Sequence, residues 1–560
     1  MPTLPIRRTL WILSLTLATL SVMPLFGRTR TAPVKAADHP ESAELAAIVN
    51  HVIASENLYT IKLMELSPRV ETYIQYYQPD YELGDVTTND SLFLGRLKFD
   101  TEAKEASFIE NPTPPWIHHI PLPRIHAAYL RPSFFALEPL AVDWHGFDRK
   151  HYTFEPIRWE YLGDLRCLAI DVHPREPVSE GAFKGRIWVE DHGYNIVRLN
   201  GTRVNPPKHQ MYGHFDCWRE NLQPGLWLPV YIYNQESDMG GGLRFKAETR
   251  LWGYDLTSRR KQQEWTSIQI DAPAPVRDSS EHGSDLSPVE SRRQLSMDAE
   301  NNVLDRLEKA RLIAPPGPVD KVLETVVNNL RVTNHLDNLP PIQCRVMETT
   351  SLESFSLAYT IVVSRGLLDV LPDESSLAMI LAHEIAHIAL GHKLDPKYAF
   401  NDRMEVSDEN LLASLDLARS AQDETAADAR GLVYLQNSPY KDKLTQAGLF
   451  LRAASEAAPN TPHLFGAHLG NGLSGGDKLI RMSALVTNAP KLNAKSLDQV
   501  AALPLGSRVQ VSAWDGSVVF TDRKSVPIVD ASEKLPFRLA PIIPYLRTCD
   551  SQAKVEVSSR

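Results

Sequence analysis

Two histidines four residues apart, with a glutamate directly after the first, are the part of this chain best suited to do chemistry: His383, Glu384 and His387 in LAHEIAHIALGH. On a helix both imidazoles leave one face and can share a single cation, while Glu384 is turned about 100° from His383 on the same turn. From there its carboxylate reaches a water on the metal without being a ligand. Zinc lowers the pKa of such a water towards neutrality; Glu384 takes the proton as the water attacks a carbonyl, then delivers it to the leaving amine. A solvated helix with two surface histidines is the competing reading. It fits poorly, because Leu377, Ile380, Leu381, Ile385 and Ile388 make the segment apolar nearly all round. Burying these polar side chains without partners would cost on the order of 1–3 kcal/mol each, a penalty that a metal removes.

A catalytic zinc site wants a third protein ligand and one open position. Leu390 and Gly391 break the spacing at which a further histidine would follow. The better candidate lies in LLASLDLARSAQDETAADARGLVYLQ, where Glu424 and Asp428 are again four apart. Ala426, Ala427 and Ala429 are small enough to let this second helix approach the first. Glu424 would ligate and Asp428 would hydrogen-bond to a ligand from outside; an exposed acidic helix face is the alternative. His392 ends the first helix, where a cation suits the dipole, which argues for a structural role rather than ligation.

HEIAHIALGH followed by ETAAD resembles the gluzincin metallopeptidases that include the CAAX prenyl proteases, the HtpX-type membrane proteases and soluble periplasmic relatives. The resemblance spans residues 319–482 and includes TIVVSRGLLDVLPDESSLAMILAHE, which looks like the edge strand and loop before the active helix. It implies one zinc ion, peptide-bond hydrolysis, an extended substrate along that strand, and Glu424 as third ligand. Where the family has an Asn-Ala pair entering the edge strand, this chain has Glu353-Ser354-Phe355. The family's downstream histidine and arginine, which steady the oxyanion, match best to His468 with Lys478 or Arg481 in HLFGAHLGNGLSGGDKLIRM; His463 and His468 are otherwise loop histidines.

What must position these residues is a multidomain α+β chain of 560 residues. Residues 1–36 read as a signal peptide or a membrane anchor: Arg7 and Arg8, then the apolar run to Phe26, then Val34-Lys35-Ala36 as a cleavage pattern. From 37 to 270, after a helix at 41–66, alternating apolar and polar residues predict a mainly antiparallel β domain, a half-barrel or curved sheet. Its hairpin at His192-Gly193, followed by a strand ending in an Asn-Gly turn, weakly resembles the lipoprotein-sorting carrier fold of bacterial envelopes. Residues 271–300, rich in Pro, Ser and charge, read as a linker; 301–490 as a mainly helical zinc-peptidase domain with a small edge sheet; 491–560 as a short β extension around an Asp-Gly turn.

A net charge of −10 argues against nucleic acid as the main partner, since phosphate binding needs a basic field. Cys167, Cys217, Cys344 and Cys549 contain no CxxC pair; Cys167 and Cys217 share the β region and either pair or stay as buried thiols. The residues therefore predict an exported zinc endopeptidase acting on envelope proteins, unfolded or misassembled, with proteins or peptides as substrates. A loosely linked β domain would recruit or restrict substrate, or meet an envelope lipoprotein or membrane surface. The alternative is a lipid or lipoprotein carrier, or a holdase, whose peptidase domain has degenerated.

Overall fold

Strand-forming residues dominate the first half of the chain and helix formers the second, and a computed structural model shows how the halves meet. It describes residues 43–80, 84–99, 103–109, 138–144, 146–206, 213–236, 244–254, 288–392, 415, 417–475, 478–479, 481–491, 509–511 and 518–520. The expected signal or anchor at 1–36, residues 271–287 of the expected linker, and Cys549 lie outside the described residues.

Helix α1 (Ala43–Leu63) precedes ten strands: β1 (Arg69–Asp80), β2 (Gly84–Phe99), β3 (Ala103–Ser107), β4 (Tyr152–Leu162), β5 (Leu165–Pro174), β6 (Ala182–Glu190), β7 (Ile196–Val204), β8 (His214–Gln223), β9 (Leu226–Glu236) and β10 (Arg244–Trp252). They form one open antiparallel sheet in the order β3-β2-β1-β10-β9-β8-β7-β6-β5-β4. Helix α1 is fastened to it by a buried pair in which Arg219 of β8 donates to both oxygens of Glu56, at 2.6 and 2.9 Å.

The expected hairpin joins β6 to β7, and the Glu190 carboxylate holds its turn by accepting from the backbone N–H groups of His192, Gly193 and Asn195 at 2.7–2.9 Å. The expected Asn-Gly turn is not one. Asn200 and Gly201 lie inside β7, where Gly201 pairs with Gly185 and a Cβ on Gly201 would stand 2.4 Å from the Lys184 carbonyl oxygen. The ring of Phe183 closes over both glycines, so close strand approach, not chain reversal, requires them. The disulfide reading of Cys167 and Cys217 is also corrected. Both are free and buried on β5 and β8, with two strands between them, a separation of roughly 14 Å against a disulfide's reach of about 7 Å.

In the second half, α2 (Pro288–Lys309) begins well inside the stretch expected to be linker. Proline suits a first helical position, and Ala299, Val303 and Leu307 recur at helical spacing and are buried, an apolar stripe that crosses the expected boundary. Next come α3 (Pro318–Thr333), β11 (Gln343–Met347), β12 (Glu353–Leu357), β13 (Thr360–Ser364), α4 (Arg365–Val370), α5 (Glu374–Leu390), α6 (Ala421–Gln436), α7 (Leu444–Ala457), α8 (Pro462–Phe465) and β14 (Asn471–Gly472). The small sheet runs β11-β13-β12-β14, with β11 parallel to β13 and the other pairs antiparallel. The expected edge strand TIVVS is therefore interior, as β13; β12 lies more extensively against α5. Two short antiparallel pairs follow, β15 (Ser474–Gly475) with β16 (Lys478–Leu479), and β17 (Val509–Val511) with β18 (Val518–Phe520); the expected Asp-Gly turn lies outside the described residues.

The large sheet is not loosely tethered. Tyr73, Leu92, Leu94, Phe108 and Trp252 belong to the same buried apolar cluster as Leu312, Met347, Leu352 and Leu469. Polar groups are buried along this seam too: Arg365 of α4 pairs with Glu71 of β1 at 3.1 Å, both nearly inaccessible. Beside them Glu348 is 4% exposed, and its Oε1 has no hydrogen-bond partner among the described residues. Burial pushes the Glu348 carboxyl up to about 8, against the opposing pull of Arg365 and Arg250. A carboxyl whose folded pKa lies above its unfolded value of 4.5 contributes stability below that value and loses it as pH rises through about 8. Glu348→Gln should thus melt close to wild type near pH 5 and several degrees above it near pH 9. The same offset at both pH values would show that Glu348 carries no such burden.

Candidate metal centre and active site

Helix α5 is capped at its start by Asp373, whose carboxylate accepts from the Ser376 N–H at 2.8 Å, and stopped by Gly391 at φ +69°. Between these, every residue from Ser375 to His387 is buried. It is covered by α3, α6, α7 and β12. Helix α6 comes closest: a Cβ on Gly431 would stand 3.1 Å from the Ala382 carbonyl oxygen, and Ala427 is fully buried. The small residues that permit this approach are thus Ala427 and Gly431; Ala429 faces outward.

That approach brings Glu424 between the two histidines. Nε2 of His383 and Nε2 of His387 are 3.0 Å apart, and the Glu424 carboxylate oxygens lie 3.3 and 3.2 Å from them. Both Nδ1 atoms are committed elsewhere. His383 Nδ1 meets Asp428 at 2.8 Å, and Asp428 is itself fixed by the Met482 N–H at 2.8 Å. His387 Nδ1 meets His392 Nδ1 at 2.9 Å, and His392 Nε2 faces Asp423 at 3.5 Å. An Nδ1–H on each ligand histidine, donated outward, leaves both Nε2 lone pairs aimed at one point. His392 is therefore a partner of His387, not merely a helix-end charge.

Glu384 stands beside this cluster. Its Oε1 accepts from the Ser354 hydroxyl at 2.7 Å and lies 3.1 Å from Arg481 Nη1. Arg481 also donates to the hydroxyl and carbonyl oxygens of Ser354, at 2.6 and 3.0 Å, and its Nε is 3.4 Å from Glu424. Asn471 of β14 donates to Glu424 Oε1. Burial alone would raise both carboxyl pKa values. Arg481 and the two histidines beside these carboxyls outweigh it at both, more strongly at Glu424. Burial holds the His387 and His392 imidazoles below their ordinary range; at His383 burial and Arg481 pull the same way, but the carboxylates of Asp428, Glu424 and Glu384 outweigh them and raise it.

Three donors of the kinds a divalent ion takes converge within 4.8 Å of one another: His383, His387 and Glu424. Oε2 of Glu384 and Oε2 of Glu424 are buried there without a hydrogen bond among the described residues. The donor set fits a metal ion. Residues 319–468 match the sequence model of peptidase family M48. Over this segment the chain is similar to the M48 metallopeptidases. The M48 match ends before Asn471 and Arg481, which complete the site from β14 and beyond it.

No curated protein matches the chain. Among solved structures, a DUF1329 family protein from Desulfovibrio piger ATCC 29098 is similar at 10% identity and a TM-score of 0.20, over 40% of this chain and 98% of that one.

His468 is not brought to the centre. The backbone N–H groups of His468, Leu469 and Gly470 all donate to the Glu353 carboxylate at 3.0–3.2 Å. The imidazole lines a small apolar cavity with Leu94, Phe108 and Leu312, and the charged groups it senses are Glu353, His463, Glu71 and Asp90. Arg481, not His468, stands at Glu384. Ser354 and Asn471 were missed from sequence: a serine replacing a family residue and a loop asparagine give no spacing signal, and only strand pairing sets them opposite each other.

Because Asp428 and His392 set the ligand tautomers, Asp428→Ala and His392→Ala should each weaken Zn2+ binding roughly 10–100-fold in competition with a chromophoric chelator. His468→Ala should leave that affinity within about twofold of wild type; an equal loss there would return His468 to the centre.

Proposed function

We propose that this protein is a zinc-dependent endopeptidase that hydrolyses peptide bonds of exported envelope proteins, unfolded or misassembled ones above all. The observation that carries the reading is Glu384: it sits next to the three-donor cluster without joining it, one oxygen held by Ser354 and Arg481 and the other uncommitted. A carrier or holdase would have no use for that placement. A zinc ion bound by His383, His387 and Glu424 supplies a Lewis acid and a water of lowered pKa. Glu384 accepts a proton at its free oxygen and returns it to the leaving amine, while Arg481 and Ser354 keep the carboxylate oriented.

The substrate would lie along β12. Its outer edge pairs with β14 only at Glu353 and Ser354; beyond them Arg419 donates to the Ser356 carbonyl at 2.7 Å. An extended peptide would add to residues 355–357, displacing Arg419. Export rests on the signal-like or anchor-like character of residues 1–36; no helix among the described residues is long and apolar enough to cross a membrane. An envelope lipoprotein or membrane surface is a fitting partner for the sheet half, where Leu58 and Ile61 of α1 and Met64 just after it are exposed.

The test is turnover of an intrinsically disordered protein by the chain starting at Ala37, beside Glu384→Gln, with zinc measured in both. We expect about one zinc in each and a rate at least about 100-fold lower in the variant. Zinc-loaded wild type that leaves every such substrate intact would sink the endopeptidase reading.

A further inference from the structure

We infer that the large β sheet is part of the catalytic apparatus: Glu71 and Asp90, on its neighbouring strands β1 and β2, are positioning residues for the peptidase site. This rests on the peptidase reading. The site has two walls built from chain segments far apart in sequence. One runs through residues 349–354 into β12 and ends on Ser354, which holds Glu384. The other runs through residues 463–472 into β14 and ends on Asn471, which holds Glu424. Each wall is gripped at its root by one buried carboxylate of the sheet.

Glu71, 2% exposed, accepts from the Thr350 N–H at 2.6 Å, from the Thr350 hydroxyl at 2.8 Å and from Arg365 at 3.1 Å. The loop it grips has no slack, for a Cβ on Gly366 would stand 1.8 Å from the Thr350 carbonyl oxygen. Asp90, fully buried, accepts from the backbone N–H groups of His463 and Leu464 at 2.9 and 2.8 Å, and contacts His463 Nδ1 at 2.9 Å. The walls are then tied together. Leu352 N–H donates to the Leu464 carbonyl at 2.8 Å, and Glu353 gathers the N–H groups of residues 468–470. Ser354 is four positions on from Thr350, and Asn471 is seven on from Leu464. A shift at either root is carried to the groups holding Glu384 and Glu424, since residues 351–354 are buried and the 463–472 segment, buried at Leu464, Phe465, Leu469, Gly470 and Gly472, is hydrogen-bonded to them.

The two grips make separable predictions. In the full chain, Glu71→Gln should lower kcat about tenfold with KM and zinc affinity within about twofold of wild type, because its wall ends on the general base. Asp90→Asn should weaken zinc binding about tenfold by chelator competition, because its wall ends on a ligand. Glu56→Gln, which breaks the buried pair with Arg219 within the sheet half, is the control for lost stability. It should lower Tm while leaving kcat and zinc affinity near wild type. Thr350→Val removes one hydrogen bond from the peptidase side and should lower kcat in the same direction as Glu71→Gln, which keeps the test available if Glu71→Gln fails to fold. Variants at Glu71 and Asp90 that lose Tm alone, or a Glu56 control that loses kcat and zinc equally, would overturn the inference. If wild type neither binds zinc nor cleaves, the peptidase reading falls and takes this one with it; if wild type does both and the variants match it, only this inference falls.

Discussion

Two imidazoles and two carboxylates are held within a helix-packed interior, and the folding of this protein is organised around making that tolerable. Ionised groups out of water need opposite charge or hydrogen bonds at once. Arg481 serves Glu384 and Glu424 together, Asp428 and His392 take the outer nitrogens of the ligand histidines, and Ser354 and Asn471 each add a hydrogen bond. What is left over is two Nε2 lone pairs and a carboxylate aimed at one point, the shape of a demand for a cation. Removing any one contributor leaves its partner buried and unpaired, which costs more than the contact itself contributes.

The same demand dictates the architecture. A helix buried on all sides, as α5 is from Ser375 to His387, needs cover on all sides, and α3, α6, α7 and β12 supply it. The large sheet extends the same buried core with Tyr73, Leu92, Leu94 and Trp252. An apolar seam alone could slip; buried charge across it cannot. Breaking one partner of a buried pair such as Glu71–Arg365 costs about 3–5 kcal/mol, so the seam has one register. Shared burial of this kind makes the two halves one cooperative body from the sheet through to the metal centre, whatever the sheet contributes to binding.

How much of this the sequence discloses depends on the range of the contact. The ligand helix was legible because its spacing is local: His383, Glu384 and His387 declare their geometry within one turn, and apolar residues all round declare burial. The alternation of β5, β6, β7, β9 and β10 was legible for the same reason, and so was the hairpin at His192-Gly193. Contacts between distant segments were not. Gly201 reads as a turn residue beside Asn200 until Phe183 and Gly185 are seen across the ladder. The Pro- and Ser-rich stretch before α2 hid a helix start, because polar composition masked the stripe of Ala299, Val303 and Leu307 that begins late in it. Arg481 could be offered only as one of two basic candidates, since nothing near it in sequence marks the strand pairing that brings it to Ser354.

Glu353-Ser354-Phe355, which departs from the pattern expected before the active helix, is coherent once seen as a strand. Glu353 collects the N–H groups of residues 468–470, Ser354 is shared between Glu384 and Arg481, and Phe355 packs on Gly470, where a Cβ would stand 2.9 Å away. All three side chains thus act on the wall opposite or on Glu384. They also explain the displacement of His468. With its backbone N–H drawn to Glu353 and Gly470 pressed against Phe355, the chain at 468–470 is fixed by its main chain, and the imidazole is carried towards the sheet instead of the metal ligands. The residue that then stands over Glu384 must come from further along, and Arg481 does, its guanidinium meeting a carboxylate where an imidazole would have had to be charged to serve as well.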